Sequence, residues 1–302
     1  MAKLIAKPRG ELNEIQCEQL SAQCDLVTSE NVELYRFLDI QESFTVLAYG
    51  ETNSGKTYTI NSIIEHIVSA LRFPLHVSAI EVYNNDYYTL HPVRRKISTP
   101  YKTINVSIAN YNEFKDVFSG IKTQRIQRTT NQNKRSSRSH LIVSIIHRGT
   151  SYTCVDLAGS EKHADADSSF IKISLLCLRE CVLALQEKRQ MIPYRRSKLT
   201  MILKEHLQKQ LYCVCTFIPS FPMTRNTKNT IEYGLSMKGL SMLHNKLDTE
   251  IEKYVKHTIR LSKLEEVMLS DYRRRRHPNL LSIVKQALWQ RLEVTKHMLT
   301  IL

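Results

Sequence analysis

The sequence predicts an α/β fold in three layers: a central mixed, mainly parallel sheet flanked by helices, with a helical extension at the C-terminal end. Three observations predict it. Strand-length apolar runs alternate with stretches of helical periodicity as far as about residue 245. One run, Phe44-Thr45-Val46-Leu47-Ala48-Tyr49, is uncharged and rich in β-branched and aromatic residues, as a buried strand must be. It leads into the glycine-bounded loop Gly50-Glu51-Thr52-Asn53-Ser54-Gly55-Lys56-Thr57, after which Ile60, Ile63, Ile64, Ile67, Val68 and Leu71 fall on one helix face.

The remaining elements follow in order. Residues 2–8 form a short strand closed by Pro8, and residues 11–40 are mixed, with a helix near 31–40. Leu75–Tyr83 is a strand, whereas residues 84–103 read as a polar, turn-rich loop with Arg94, Arg95 and Lys96 exposed. Ile104–Ile108 alternates like a strand. Asn110 followed by Glu113 signals a capping box ahead of a helix whose stripe is Phe114, Val117, Phe118 and Ile121. Leu141–His147 and Tyr152–Leu157 are strands joined by a tight turn at Arg148-Gly149-Thr150-Ser151. Ile171–Leu185 is an apolar helix, Ser197 caps a helix over 198–208, Leu211–Ile218 is a strand, and 224–243 is helical. The division expected is residues 1–245 as one globular domain and 246–302 as a helical tail.

Composition narrows the class. A net charge of +14 points to an acidic partner, whether nucleic acid, anionic lipid or acidic protein surface. No run approaches the length of a membrane span and the first residues do not read as a signal peptide, so no membrane partner is expected. The seven cysteines form no C-x-x-C pair and several sit in apolar runs, so they read as reduced core residues rather than zinc ligands or disulfides.

The loop fits G-x-x-x-x-G-K-[ST], and strand, glycine loop and helix are the context that makes this a phosphate cradle. Its glycines let backbone N–H groups converge on phosphate oxygens, and the helix start adds its positive dipole end. Lys56 would reach the β- and γ-phosphates, and the Thr57 hydroxyl would hold Mg²⁺. A phosphate cradle needs partners that sense the γ-phosphate. Asn131–His140 and Val155-Asp156-Leu157-Ala158-Gly159-Ser160-Glu161 supply them: an Asp at a strand end holds the metal's water shell, and a following Gly amide can bond the phosphate.

Taken in this order, the segments resemble the kinesin motor domain over about residues 1–245. Ala48–Thr59 is similar to the family's P-loop stretch, Asn133–His140 to its switch I and Asp156–Glu161 to its switch II. Pro193–Thr200 resembles its filament-binding segment, Ile171–Leu185 its switch II helix, and Thr230-Ile231-Glu232-Tyr233 its last motor helix. The resemblance implies ATP and Mg²⁺ as cofactors and ATP hydrolysis coupled to microtubule binding. Gly50 to Thr57, with Ser136, would hold the phosphates, Tyr58 and Pro8 would flank the adenine, and Thr57, Ser137 and Asp156 would serve the metal, Asp156 through water. Ser137 and Gly159 would sense the γ-phosphate, and Arg138 and Glu161 would bridge the switches and place the lytic water. Arg195, Arg196 and Lys198 would meet acidic tubulin, with Lys188, Arg189 and Arg94–Lys96 as further basic surface. The implied location is the cytoplasm and cytoskeleton, the spindle included; nucleic acid does not fit the switch sequences.

The chain departs from the family pattern in four places. The opening R-x-R-P is Ile5-Ala6-Lys7-Pro8, the helix after the P-loop lacks its usual insert, only nine residues separate Glu161 from Ile171, and the Asn-Lys pair of the following helix is Lys172-Ile173. The first removes an adenine-side arginine, and the last two touch transmission rather than hydrolysis, which leaves open a microtubule binder with a weak or uncoupled ATPase. Leu175–Cys181 is similar to the microtubule-depolymerising members. In the tail, Leu247, Ile251, Tyr254, Thr258, Leu261 and Met268 take 4–3 spacing, which suits self-association through 247–268 or packing on the motor. Arg273–Arg276 is a basic run, and Leu281, Leu288, Leu292 and Leu299 share one side of a second amphipathic helix.

Overall fold

The structure is a computed structural model that describes residues 2–12, 14–100, 105–126, 138–160, 167–220 and 223–238. The chain divides into two compact units, Met1–Met242 and Leu243–Leu302. The second unit, on which the expected tail helices and the basic run fall, lies outside the described residues.

The described elements are β1 (Lys3–Pro8), α1 (Glu14–Ser21), β2 (Leu26–Val27), α2 (Asn31–Phe37), β3 (Phe44–Gly50), α3 (Lys56–Ala70), β4 (Leu75–Tyr83), β5 (Asp86–Thr89), β6 (Arg95–Ile97), β7 (Val106–Ile108), α4 (Tyr111–Ile126), β8 (His140–His147), β9 (Thr150–Asp156), α5 (Asp167–Gln186), a 3-10 turn (Tyr194–Arg196), α6 (Lys198–Leu203), β10 (Gln210–Phe217) and α7 (Arg225–Met237). They build one mixed sheet in the order β2-β1-β10-β3-β9-β8-β4-β5-β6, with β7 on β4. From β2 to β9 every pair is parallel; from β9 to β6 every pair is antiparallel. The reversal comes at the β8–β9 hairpin, where Arg148 and Gly149 take φ 47° and 87° and His147 pairs with Thr150. Two left-handed residues match the twist of a tight hairpin.

Helices cover both faces, which gives the three layers the sequence predicts. The period of two in β3 and β10 sorts the core: Leu47, Cys213 and Cys215 face one way, Val46, Ala48, Tyr212 and Val214 the other. On the first side Leu178, Cys181, Leu199, Leu203, Ile231 and Leu235 from α5, α6 and α7 close the layer. On the second, Leu34, Ile60, Ile63, Ile67, Phe114 and Phe118 from α2, α3 and α4 do so. Each fully buried aliphatic side chain is worth roughly 1.5–3 kcal/mol of transfer free energy. Five of the seven cysteines are buried, in keeping with a core role. No helix among the described residues is long and apolar enough to cross a membrane.

Asn110 accepts the N–H groups of Asn112 and Glu113, and the Glu113 carboxylate returns to Ala109 N–H, so the α4 start is capped from both sides. Three local readings are corrected and a fourth, of the mixed stretch 11–40, is filled in. Residues 84–103 are not all loop: Asn84 and Asn85, at φ 50° and 58°, turn the chain into β5, which pairs with β4 and then β6. Arg94 is not an exposed charge. Its Nε lies 2.8 Å from Glu81, its guanidinium 3.6 Å above Tyr88, and its side chain is 11% exposed. Residues 14–21 form α1, which has almost no apolar face to betray it. The helix capped by Ser197 stops at Leu203, because the chain turns there through His206 N–H to Leu203 O to enter β10.

Candidate nucleotide-binding site

Gly50 ends β3 at φ 154°, and a Cβ there would lie 2.1 Å from Thr216 O, so β10 leaves room only for glycine. Gly55, at φ 104°, is the N-cap of α3; with no side chain to strain, it turns the loop into the helix. Between them Ser54 Oγ bonds Glu51 O at 2.7 Å and Thr216 Oγ1 at 2.6 Å, which ties the loop to the sheet. Glu51 accepts from Asn226 Nδ2 at 3.0 Å, and Asn53 O accepts from Arg9 Nη1 at 2.6 Å. Lys56 is buried, its Nζ donating to the carbonyls of Gly50 and Glu51 at 2.9 and 2.7 Å. Its charge is thus aimed into the hollow of the loop.

Asp156 ends β9 beside Ala48, so its carboxylate reaches the same edge of the sheet. Thr57 Oγ1 donates to Asp156 Oδ2 at 2.6 Å. Arg125, in the last turn of α4, sets Nη1 2.5 Å from that oxygen and gives Nη2 to Ser139 O at 3.1 Å. The pair is buried, 4% and 1% exposed, and Asp156 Oδ1 has no protein partner. The chain beyond β9 stays at the loop: Leu157 N–H donates to Ala48 O and Ser160 N–H to Gly50 O at 3.1 Å, so Gly159 adjoins the phosphate loop.

This arrangement fits a Mg-nucleotide. A hydroxyl and a carboxylate side by side, one carboxylate oxygen buried and unpartnered, are the donor set a hard cation accepts. A lysine and a helix start aimed into one hollow suit phosphate. Gly50 to Gly55 and Lys56 line that hollow, Thr57 and Asp156 stand at its edge, and Gly159 borders it. Tyr58, in the first turn of α3, is 69% exposed, and Pro8 is buried at the end of β1. Ser136, Ser137 and Glu161 lie outside the described residues. Arg138 lines a cavity of about 210 Å³ with His140, Ile173 and Arg196.

Three residues escaped the sequence. Arg125 looks like any arginine at a helix C-terminus, where it suits the dipole. Arg9 lies one position past the opening motif. Ser174 lies in the apolar helix α5, where no local pattern marks it. It lies 2.8 Å from His140 Nε2, and His140 Nδ1 accepts Ala158 N–H at 3.0 Å. Burial, reinforced by Arg125 and opposed by Asp156, lowers the His140 pKa to about 3, so the ring is neutral and its Nε2–H donates to Ser174.

Comparison with known proteins agrees with the geometry. The family model for the kinesin motor domain matches residues 37–240. The chain is 30% identical over 239 residues to kinesin-like protein KIN-7B of Arabidopsis thaliana, covering 64% of this chain and 26% of that protein. It is 29% identical to kinesin-like protein KIN-13B of the same plant, covering 65% and 35%. It is 31% identical to diatom spindle kinesin-1 of Cylindrotheca fusiformis, covering 64% and 37%. The chain thus spans about a quarter to a third of the length of these relatives. With more than half of its residues matched by the family model and its phosphate loop, Asp156 and Gly159 gathered at one sheet edge, the chain belongs to the kinesin motor-domain family.

Proposed function

We propose that this chain is a Mg-ATP-hydrolysing microtubule motor, residues 1–245 being the motor and 246–302 a helical tail. The observation that carries the reading is the meeting of Thr57 and Asp156 at 2.6 Å beside the Lys56 loop, with Gly159 at its border. Bound Mg²⁺ would neutralise charge on the transferring phosphoryl group. Thr57 and Asp156 would hold it, Lys56 would take phosphate charge, and the Gly159 amide would register the terminal phosphate. Phosphoryl transfer depends mainly on positioning and electrostatics, so no strong base is needed. Ser136, Ser137, Arg138 and Glu161 keep the roles the family resemblance gives them.

Arg195 and Arg196 stand exposed on the 3-10 turn, Arg196 paired with Glu180, where an acidic filament could reach them. The second reading is a microtubule binder whose ATPase is weak or uncoupled. Lys172 and Ile173, both exposed in α5 where the family has Asn-Lys, favour it. Steady-state ATPase with and without microtubules separates the two. Turnover that microtubules raise and Lys56→Ala abolishes supports the motor; filament binding that ignores nucleotide, with unstimulated turnover, supports the binder.

A further inference from the structure

On the side of α5 and α6 the sheet carries a line of hydroxyls. Thr45 of β3 pairs with Thr153 of β9, Thr153 with Ser144 of β8, and Ser144 with Ser78 of β4, so four strands place a hydroxyl residue at one level. All four share the face that presents Leu47, Val155, Ile142 and Ile80, two residues on or back in each strand. Hydroxyls set into a sheet face need a partner, from the protein or from outside it.

Half of the line is covered. The turn between α6 and β10 lays His206 over it: Thr45 Oγ1 donates to His206 O at 2.7 Å, and Thr153 Oγ1 lies 2.7 Å from His206 Nδ1. The other half is bare. Ser144 Oγ meets Thr153 Oγ1 only at 3.5 Å, the long limit of a hydrogen bond, and the Ser78 hydroxyl has no protein partner among the described residues. Both serines open into a cavity of about 290 Å³ between the sheet and α6. Ile80, Ile142 and Ile146 flank them on the sheet side, and Met201 and Ile202 line the helix side. Lys204 and Glu205, both exposed, stand at its rim.

These features select a ligand chemistry. A slot between a sheet and a helix suits a flat molecule, and its isoleucines suit an apolar ring. Serine hydroxyls both donate and accept, so a polar group that does both matches them. Charge is balanced: Lys204 stands beside Glu205, and burial, reinforced by Lys209, lowers the His206 pKa to about 4 and keeps its ring neutral. We infer that the hollow between β4, β8 and α6 binds a small neutral aromatic carboxamide, its ring between the sheet isoleucines and Met201 and its amide on Ser78 and Ser144. An apolar pocket with a few convergent polar groups is the usual build of a small-molecule site. The volume falls just short of the ~300 Å³ at which drug-sized sites begin, so the ligand has about ten non-hydrogen atoms. The site is separate from the phosphate loop. Thr45 lies at the start of β3 and Gly50 at its end, roughly 16 Å along the strand.

Titration of the full chain with benzamide, followed by saturation transfer from protein to ligand protons, tests this. Benzamide should bind with a dissociation constant on the order of 1 mM. Toluene, which lacks the amide, and benzoate, which adds a charge, should each bind about ten-fold more weakly. Ser144→Leu fills the hollow and should abolish benzamide binding. Ser78→Ala, a milder change, should weaken benzamide about five-fold and leave toluene unaffected. Urea midpoints of both variants should stay near the parent's; should Ser144→Leu fall well below it, Ser78→Ala alone decides. The inference falls if benzamide shows no transfer at concentrations well above the expected constant, or if toluene or benzoate binds as tightly. It falls equally if a folded Ser144→Leu or Ser78→Ala variant binds benzamide like the parent, because the amide then sits elsewhere.

Discussion

The hollow of the Gly50–Lys56 loop and the outer face of α5 break the usual sorting of polar and apolar groups in opposite senses. Beside the hollow, the Arg125 and Asp156 side chains are 4% and 1% exposed, though charged groups are seldom fully buried, and the neutral ring of His140 is buried with them. On α5, Phe170, Ile173 and Leu176 face water. The two sites also fail differently. Inside, each charge depends on a partner a few ångströms away, so removing one group strands another. Outside, the folded chain loses little when an apolar side chain is trimmed, because no group is left stranded. Residues inside therefore couple stability to the chemistry of the site, whereas those outside do not.

The largest expected effect tests the inside. On the proposed reading Lys56→Ala should lower ATP turnover by at least about 100-fold, since the charge it holds in the loop would meet phosphate and could not be replaced by solvent. Steady-state phosphate release measures it. Turnover within a few-fold of the parent would mean that the hollow is not where the chemistry occurs.

Next comes Arg125→Ala. Stranding Asp156 should cost about 3–5 kcal/mol, seen as a lower urea midpoint. Arg125→Met/Asp156→Leu removes both charges and should recover much of that loss while leaving the proposed metal position without its carboxylate. If the single variant is as stable as the parent, the contrast between a coupled interior and an uncoupled exterior fails.

How much of this was legible in the sequence follows the same contrast. The phosphate loop, β3 and α3 could be read because local rules agree there: an uncharged run, two glycines, then a stripe of isoleucines. β5 and β6 could not, because their pairing is tertiary; Tyr87, Thr89 and Ile97 turn inward within a stretch whose composition is that of a loop. Lys56, Thr57, Asp156 and Gly159 were singled out by motif, and the fold brings them to one sheet edge. Arg125 was invisible because it meets Asp156 from another element, 31 positions away, and only the fold shows that. The bare face of α5 was hidden for a different reason. Phe170, Ile173 and Leu176 sit in an apolar helix beside residues that are buried, and periodicity alone cannot say which apolar side lacks a cover.

A smaller effect concerns pH. His140 and His206 are neutral in the folded chain, their pKa values lowered to about 3 and about 4, first by burial and then by Arg125 and Lys209 respectively. The unfolded chain protonates both near 6.5. Between those limits the unfolded state binds more protons, so the stability these rings contribute is present above pH 6.5 and is lost as pH falls toward the folded values. Urea midpoints should therefore decline from pH 7 to pH 5, a range mostly above carboxylate titration. His206→Gln should make the decline shallower. A flat profile would show that these interior rings are not held neutral.

The smallest effect is expected from Ser174→Ala, where the two regions meet. Ser174 belongs to α5, yet its hydroxyl takes the His140 Nε2–H at 2.8 Å and gives its own hydrogen to Ile171 O at 2.7 Å. His140 in turn holds Ala158 N–H, next to Gly159. The chain of bonds uses every donor once, so a change at the phosphate loop has a rigid polar route to the helix whose outer face is bare. Removing the hydroxyl leaves Nε2–H buried and unpaired, which should cost about 1–3 kcal/mol, at the low end if the ring shifts. Stability alone would not distinguish a route from a simple packing role. The ratio of microtubule-stimulated to basal turnover does: it should fall in Ser174→Ala and be restored by Ser174→Thr, which keeps the hydroxyl. If the alanine variant is less stable but keeps the parent's ratio, the bond holds the fold together without carrying a signal, and the interior and the face of α5 are linked by some other element.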